Sequence, residues 1–229
     1  MMPAHVIADP IGQPDALSPA ADPFARIVDA IATQGFAICP GFLPMDQTLT
    51  LLQHCQALQA EDELHSAGIG RGQDFHTNRF VRQDRIHWLE GTAPAETHFL
   101  NPMAELQTRL NRELFIGLFD YEAHFALYPE GAFYKKHVDA FQGRSNRRLS
   151  TVLYLNPDWQ PADGGELRLY DPGDPEQVLI DVTPQAGTLV VFESECFWHE
   201  VLPAKRKRYS IAGWFRVNAS TGWRVDPPA

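Results

Sequence analysis

Positive charge, cysteine and long apolar runs are all scarce in this chain of 229 residues. Lys and Arg total 19 against 29 Asp and Glu, a formal net charge of -10. Such a chain repels a phosphate backbone unless its basic residues cluster, so nucleic acid is a poor first partner. The cysteines, Cys39, Cys55 and Cys196, are an odd number without CxxC spacing. The amino terminus lacks the basic stretch and apolar run of a secretory signal, and a reducing, cytoplasmic setting is the expectation. No stretch approaches about 18 uninterrupted apolar residues, which excludes a membrane-spanning helix.

What is present is enough apolar sequence, 44% of the chain, for one well-buried core. Residues 1–22 are rich in Ala, Pro, Asp and Gly without a period and read as a mobile tail; 23–229 read as a single domain. In "DPFARIVDAIATQG", Asp22 can cap a helix and Pro23 suits its first position. Phe24, Ile27, Val28 and Ile31 share one face, and Gly35 ends the run. "FAIC" reads as a strand. "MDQTLTLLQHCQALQA" reads as a second helix burying Leu49, Leu52, Cys55 and Leu58, and a third is expected near "NPMAELQTRLNRELF". Between them, "SAGIGRGQDFHTNRFVRQDRIHWLEG" has no period, and a loop that long is usually functional or disordered. After residue 120 come eight short β-like runs bounded by Gly, Pro, Asp or Asn. The expected fold is mainly β with flanking α-helices, a double-stranded β-helix or jelly roll. Helical support spans about 23–118, and the β-helix core about 119–218.

The chemistry concentrates in "AFYKKHVDAF". On extended chain, side chains two apart project to one side, so His137 and Asp139 can reach a single point. A third ligand must come from another strand, and "CFWHEV" offers His199. Two imidazoles and one carboxylate on one face of a metal leave open positions, the arrangement favoured by non-haem Fe(II) oxygenases. HxD by itself is common by chance, and a satisfied surface histidine is the commoner explanation of a lone instance. His5, His54, His65, His76, His87, His98 and His124 carry no paired spacing and read as structural or solvated. Beyond His199 lies "RYSIAGWF", whose alternation sends Arg208, Ser210, Ala212 and Trp214 one way and Tyr209 and Ile211 the other. An inward arginine is costly unless it meets a carboxylate, which a dicarboxylate cosubstrate would supply.

With these residues, the sequence resembles the Fe(II)- and 2-oxoglutarate-dependent oxygenases. Within them it is similar to the prolyl 4-hydroxylases, particularly the oxygen-sensing hypoxia-inducible-factor hydroxylases of animals and their bacterial relatives. "RQDRIHWLEG", "YPEGAFYKKHVD", "LYLNPDW", "DGGELRLY" and "WHEVLPAKRKRYSIAGWF" match that family's segments in order, from about residue 65 to residue 217. The resemblance implies that His137, Asp139 and His199 bind Fe(II), and that Arg208 and Tyr154 hold the distal carboxylate of 2-oxoglutarate. It places Tyr128 near the cosubstrate's metal-binding end, and Tyr134 and Trp214 in the pocket wall, the latter near a prolyl substrate. It makes Asp84 and Arg147 a pair tethering a lid, residues 71–91, to the core, against the alternative of two independent surface charges.

The implied reaction takes O2 and 2-oxoglutarate to succinate and CO2 while hydroxylating the 4-position of a prolyl residue, with ascorbate as an accessory. The implied partner is a protein with an exposed prolyl loop, from the translation apparatus by analogy, with no role for nucleic acid or membrane. Two residues depart from the family pattern. Ala212 stands where the animal oxygen sensors carry threonine, so their slow response to oxygen is not carried over, and His124 replaces a different pocket-edge residue. Two other readings stay open: the same chemistry on a free amino acid or small metabolite, and a non-catalytic metal-binding jelly-roll module.

Overall fold

The computed structural model describes residues 22–67, 81–140 and 145–218. The expected amino-terminal tail, apart from Asp22, and the first part of the expected lid lie outside these residues. Helix α1 (Pro23–Gln34) follows the sequence signals closely. Asp22 Oδ1 accepts from the Phe24 amide at 3.0 Å, Pro23 opens the helix, and Gly35 ends it at φ 76 with its N–H on the Ile31 carbonyl. Strand β1 (Phe36–Cys39) comes next, then α2 (Met45–Ala60).

The buried stripe of α2 is Thr48, Leu51, Leu52 and Cys55; Leu52 and Cys55 are buried as expected and Leu58 packs partly buried on the core, whereas Leu49 is exposed. The weak amphipathicity of "MDQTLTLLQHCQ" explains the misplacement. Its leucines occupy most of the circumference, and the Thr48 hydroxyl hides its polarity by donating to the Pro44 carbonyl at 2.9 Å.

Helix α3 is longer than its apolar pattern suggests, running from Pro94 to Leu114 with Pro102 inside. Pro102 looks like a helix start, but Pro94 takes that position and α3 forgoes one hydrogen bond at residue 102. Phe99, Met103, Leu106 and Leu110 are fully buried along one face, which outweighs that loss. No helix among the described residues is long and apolar enough to cross a membrane.

The remaining elements are strands: β2 (His65–Ser66), β3 (Arg85–Trp88), β4 (Leu118–Tyr128), β5 (Tyr134–His137), β6 (Arg147–Tyr154), β7 (Leu167–Asp171), β8 (Asp174–Val182), β9 (Leu189–Glu193), β10 (His199–Val201) and β11 (Arg208–Val217). They form a seven-stranded sheet, β1-β9-β6-β11-β4-β3-β2, facing a four-stranded sheet, β5-β10-β7-β8, with every strand pairing antiparallel. This is the jelly-roll architecture expected from the sequence. Strand β3 corrects the reading of 71–91 as one irregular lid, since residues 85–88 are built into the large sheet against β4. The helical support is likewise interleaved with sheet strands rather than separate from them.

Alternation along the central strands sorts their side chains into two cores. From β4 and β11, Ala123, Phe125, Leu127, Tyr209, Ile211 and Phe215 pack under the helices. From the other face, Ala126, Tyr128, Tyr154, Val190 and Phe192 meet Leu167, Leu169 and Val201 of the small sheet. Both faces of the central strands are covered, which is why most residues of β4 and β11 are buried whichever way they point. The polar residues on the inner face, His124, Arg208, Ser210 and Trp214, therefore project into a closed layer where water cannot satisfy them.

Candidate metal and cosubstrate site

Strand pairing, more than sequence spacing, assembles the first part of the site. His137 ends β5 and lies directly opposite His199 at the start of β10, with ring centroids 4.2 Å apart. Asp139 lies two residues beyond the end of β5, and its carboxylate is 3.6 Å from His137 Nε2 and 3.7 Å from His199 Nε2. One ligand atom from each of the three falls within 4.8 Å of the others, the only such group of three or more potential ligands among the described residues.

The tautomers are set by the backbone. His137 Nδ1 donates to the Lys135 carbonyl at 2.7 Å, and His199 Nδ1 donates to the Phe197 carbonyl at 3.0 Å. Each Nε2 is thereby left as a bare lone pair aimed at the shared point. Burial first, and His137 second, push His199 down to about 4 against the opposing pull of Asp139, so its imidazole is neutral at neutral pH. Burial works to raise Asp139. Interaction with His199 first, then the hydrogen bond and electrostatic pull of His137, and Arg147 together hold it well below the usual carboxylate range. Two imidazoles with their Nε2 atoms converging on one carboxylate fit a divalent first-row metal with coordination positions left open.

The large sheet orients the carboxylate. Asp139 Oδ2 accepts from Ser150 Oγ at 2.7 Å and from Trp214 Nε1 at 2.9 Å, and Ser150 is also 2.8 Å from Ser194 Oγ. On the other side, Tyr134 stacks on the His137 ring at 3.6 Å and 18°. Sequence reasoning missed Ser150 and Ser194. A serine in mid-strand carries no signal until the register places Ser150 beside Trp214.

Deeper in the same cavity lies Arg208, 1% exposed. Its Nε donates to the Gly165 carbonyl at 2.9 Å and its Nη1 to Ser210 Oγ at 3.3 Å. No carboxylate among the described residues pairs with it, and Nη2 has no partner. The rings of Tyr128 and Tyr154 flank the guanidinium carbon at 5.2 and 5.1 Å, so both tyrosines belong to one cation. The Tyr154 hydroxyl is also unpaired, and burial, moderated by Arg208, pushes it up to about 12. A buried cation with an open donor beside an open hydroxyl is costly in a bare protein. A ligand carboxylate supplies what both lack, so the residues present fit a dicarboxylate with one end at Arg208.

The pairing expected between Asp84 and Arg147 is corrected. Asp84 is buried and taken up by Arg82, through Nε at 2.6 Å and Nη2 at 2.8 Å. Arg147 donates to Glu122 from the far side of β11 and covers the Trp214 ring. The reason is proximity along β3's approach: Arg82 and Asp84 project to the same side and satisfy each other locally. His124, which spacing alone left structural or solvated and the resemblance put at the pocket edge, lines the cavity, with its Nε2 unpaired and its pKa pushed down to about 3 by burial and then by Arg82. It lies directly opposite Ala212 across β4 and β11, so the two departures from the family pattern are cross-strand neighbours.

This geometry agrees with what the chain is similar to. Residues 123–216 match the profile of the 2OG-Fe(II) oxygenase superfamily. A prolyl-4-hydroxylase structure from Pseudomonas putida is 44% identical with a TM-score of 0.78, covering 84% of this chain and 98% of that one. A prolyl hydroxylase from Trichoplax adhaerens, solved with a hypoxia-inducible-factor peptide fragment, is 28% identical with a TM-score of 0.75, covering 84% of this chain and 88% of that one. Human Egl nine homolog 1 is 29% identical over 199 residues, 82% of this chain and 45% of the relative. The chain thus spans about half the length of such curated relatives. With the jelly roll, the two-histidine-one-carboxylate cluster and 44% identity across nearly all of a solved prolyl hydroxylase, the chain belongs to the 2OG-Fe(II) oxygenase superfamily and, within it, to the prolyl hydroxylase family.

Proposed function

We propose that the chain is a single-domain Fe(II)- and 2-oxoglutarate-dependent dioxygenase, acting through residues 23–229. It hydroxylates a prolyl residue of a protein substrate at the 4-position and releases succinate and CO2. The observation that carries this reading is the pair of unfinished sites in one cavity, the converging ligand atoms and the unpaired Arg208 guanidinium. The prolyl position and the protein substrate rest on similarity to the Pseudomonas putida and Trichoplax adhaerens enzymes.

In this reading His137, Asp139 and His199 hold Fe(II), which when bound supplies the redox chemistry coupling O2 to oxidation of 2-oxoglutarate and substrate. Arg208 fixes the far carboxylate of 2-oxoglutarate, with Tyr154 donating its hydroxyl and Tyr128 closing the wall. Tyr134 keeps the His137 ring in plane by stacking. Ser150 and Trp214 hold one Asp139 oxygen, leaving the other to the metal. The apolar inner faces around Val152, Phe192 and Val201 exclude water from the reacting groups. Trp214 and the exposed Trp88 flank His124 at the cavity wall, where a prolyl ring would enter. Asp84 and Arg82 brace the segment leading into β3, which keeps a lid role for the residues before it. Cytoplasmic location, ascorbate as an accessory reductant and a translation-apparatus substrate complete the proposal. The first of these rests on the sparse cysteines and the last on analogy.

Proteomes of cells with and without the gene provide the test. A one-oxygen mass gain on specific prolyl residues, dependent on 2-oxoglutarate, is expected, with the hydroxyl placed by comparison with synthetic 3- and 4-hydroxyprolyl peptides. Turnover of free amino acids with no modified protein would favour the metabolite reading. Absence of a weak charge-transfer band on anaerobic addition of Fe(II) and 2-oxoglutarate would favour a binding module.

A further inference from the structure

Polar groups on the inner face of β4, β6 and β11 continue beyond the triad as a connected stripe. Trp214 Nε1 donates to Asp139 Oδ2 at 2.9 Å. The Arg147 guanidinium carbon lies 3.5 Å from the Trp214 ring centroid. Arg147 donates through Nε and Nη2 to Glu122 Oε1 at 3.1 and 2.9 Å. Glu122 Oε2 is 3.2 Å from Arg216 Nη1, and Arg216 Nε donates to Asp120 at 2.8 Å. Register produces this order. On β11, Trp214 sits opposite Glu122 and Ser150, and Arg216 opposite Asp120 and Arg147.

The four charged side chains are well covered, Arg147 at 18%, Glu122 at 11%, Arg216 at 8% and Asp120 at 12% exposure. Ion pairs buried to this degree stabilise a fold little more than apolar residues of equal volume, so stability is a poor account of the stripe. Its geometry does something more specific. An indole turns readily about its outer torsion, and only one orientation directs Nε1 at Asp139. A planar guanidinium stacked on the ring, itself held by two bonds to Glu122, restricts that rotation.

We propose that Arg147, held by Glu122 and Arg216, is a positioning residue for the Asp139 carboxylate and acts through the Trp214 indole. The proposal rests on the reading of His137, Asp139 and His199 as a metal site. Removing Arg147 leaves Glu122 with Arg216, so no carboxylate is orphaned, and Trp214 is freed to turn. Replacing Trp214 by Phe keeps an aromatic face for Arg147 but deletes the N–H that reaches Asp139.

The test is a double-mutant cycle on metal affinity, with Mn(II) titrated into the purified full chain by calorimetry without 2-oxoglutarate. Outer-shell partners of metal ligands typically account for about 10–100-fold in affinity. As the more remote group, Arg147→Ala is expected to weaken Mn(II) binding by about 10-fold, and Trp214→Phe by a similar factor. The double variant should be no weaker than either single one, because both remove the same restraint. Arg147→Lys, which keeps the charge but not the planar stack, should fall nearer Arg147→Ala than wild type, and it serves if the alanine variant fails to fold. Arg168→Ala, which breaks the ion pair with Asp181 on the small sheet, should bind Mn(II) as wild type does. Wild-type affinity in Arg147→Ala, or fully additive losses in the double variant, overturns the positioning role. Wild-type affinity in Asp139→Ala overturns the metal-site reading beneath it, and the proposal with it.

Discussion

The two ends of the cavity differ in how far the protein satisfies its own polar groups. At the triad, both histidine Nδ1 atoms are spent on backbone carbonyls, and Asp139 has two donors from neighbouring strands. At the deep end, the Arg208 Nη2 and the Tyr154 hydroxyl have no partner. The first end is preorganised, with orientation settled before anything binds; the second keeps a donor and a hydroxyl open, which under the proposed function a ligand would complete. Changes at the triad should therefore destroy a site, whereas changes around Arg208 should alter the demand for one ligand.

The largest expected effect is at the triad. Asp139→Ala or His137→Ala should reduce succinate formation to background even at saturating iron, and a variant with full turnover would erase the contrast. Next comes Arg208→Ala. Truncating a buried, ligand-paired charge costs about 2–5 kcal/mol, so the KM for 2-oxoglutarate should rise on the order of 100-fold with the iron requirement nearly unchanged. Equal shifts in both requirements would mean that the two ends are not independent.

Gly165→Ala should act on the same end indirectly. At φ +75, its new Cβ would lie 2.8 Å from Ala204 Cβ and 3.4 Å from Arg208 Cδ, and its carbonyl is the one that receives Arg208 Nε. A destabilisation of about 1–3 kcal/mol by denaturant titration is expected, with a raised 2-oxoglutarate KM. Smallest is Tyr154→Phe. It removes a hydroxyl that no protein group uses, so stability should hold within about 0.5 kcal/mol. Cosubstrate affinity should fall about 5-fold, the worth of a single hydrogen bond of about 1 kcal/mol. Unchanged affinity would take Tyr154 out of the clamp.

Legibility in the sequence followed the range of the interaction. Local signals translated directly: the Asp22 cap, the Gly35 stop, and the alternation that turned Arg208, Ser210, Ala212 and Trp214 inward while Tyr209 and Ile211 went to the helices. Signals overridden by packing did not, as the exposed Leu49 of α2 and the tolerated Pro102 demonstrate. Strand spacing named His137, Asp139 and His199, which the structure brings together, whereas the resemblance paired Asp84 with Arg147, and each of those charges found a nearer partner.

The sequence by itself determined which chemical groups exist and which side of a strand each one takes, because a two-residue period leaves no freedom once one face is buried. Only the tertiary structure decided which groups meet. His137 faces His199 through the β5–β10 register, and Ser150 and Trp214 reach Asp139 through β6 and β11. Pairing between strands far apart in the chain depends on how the two sheets close over each other. Spacing along the chain carries no record of that distance.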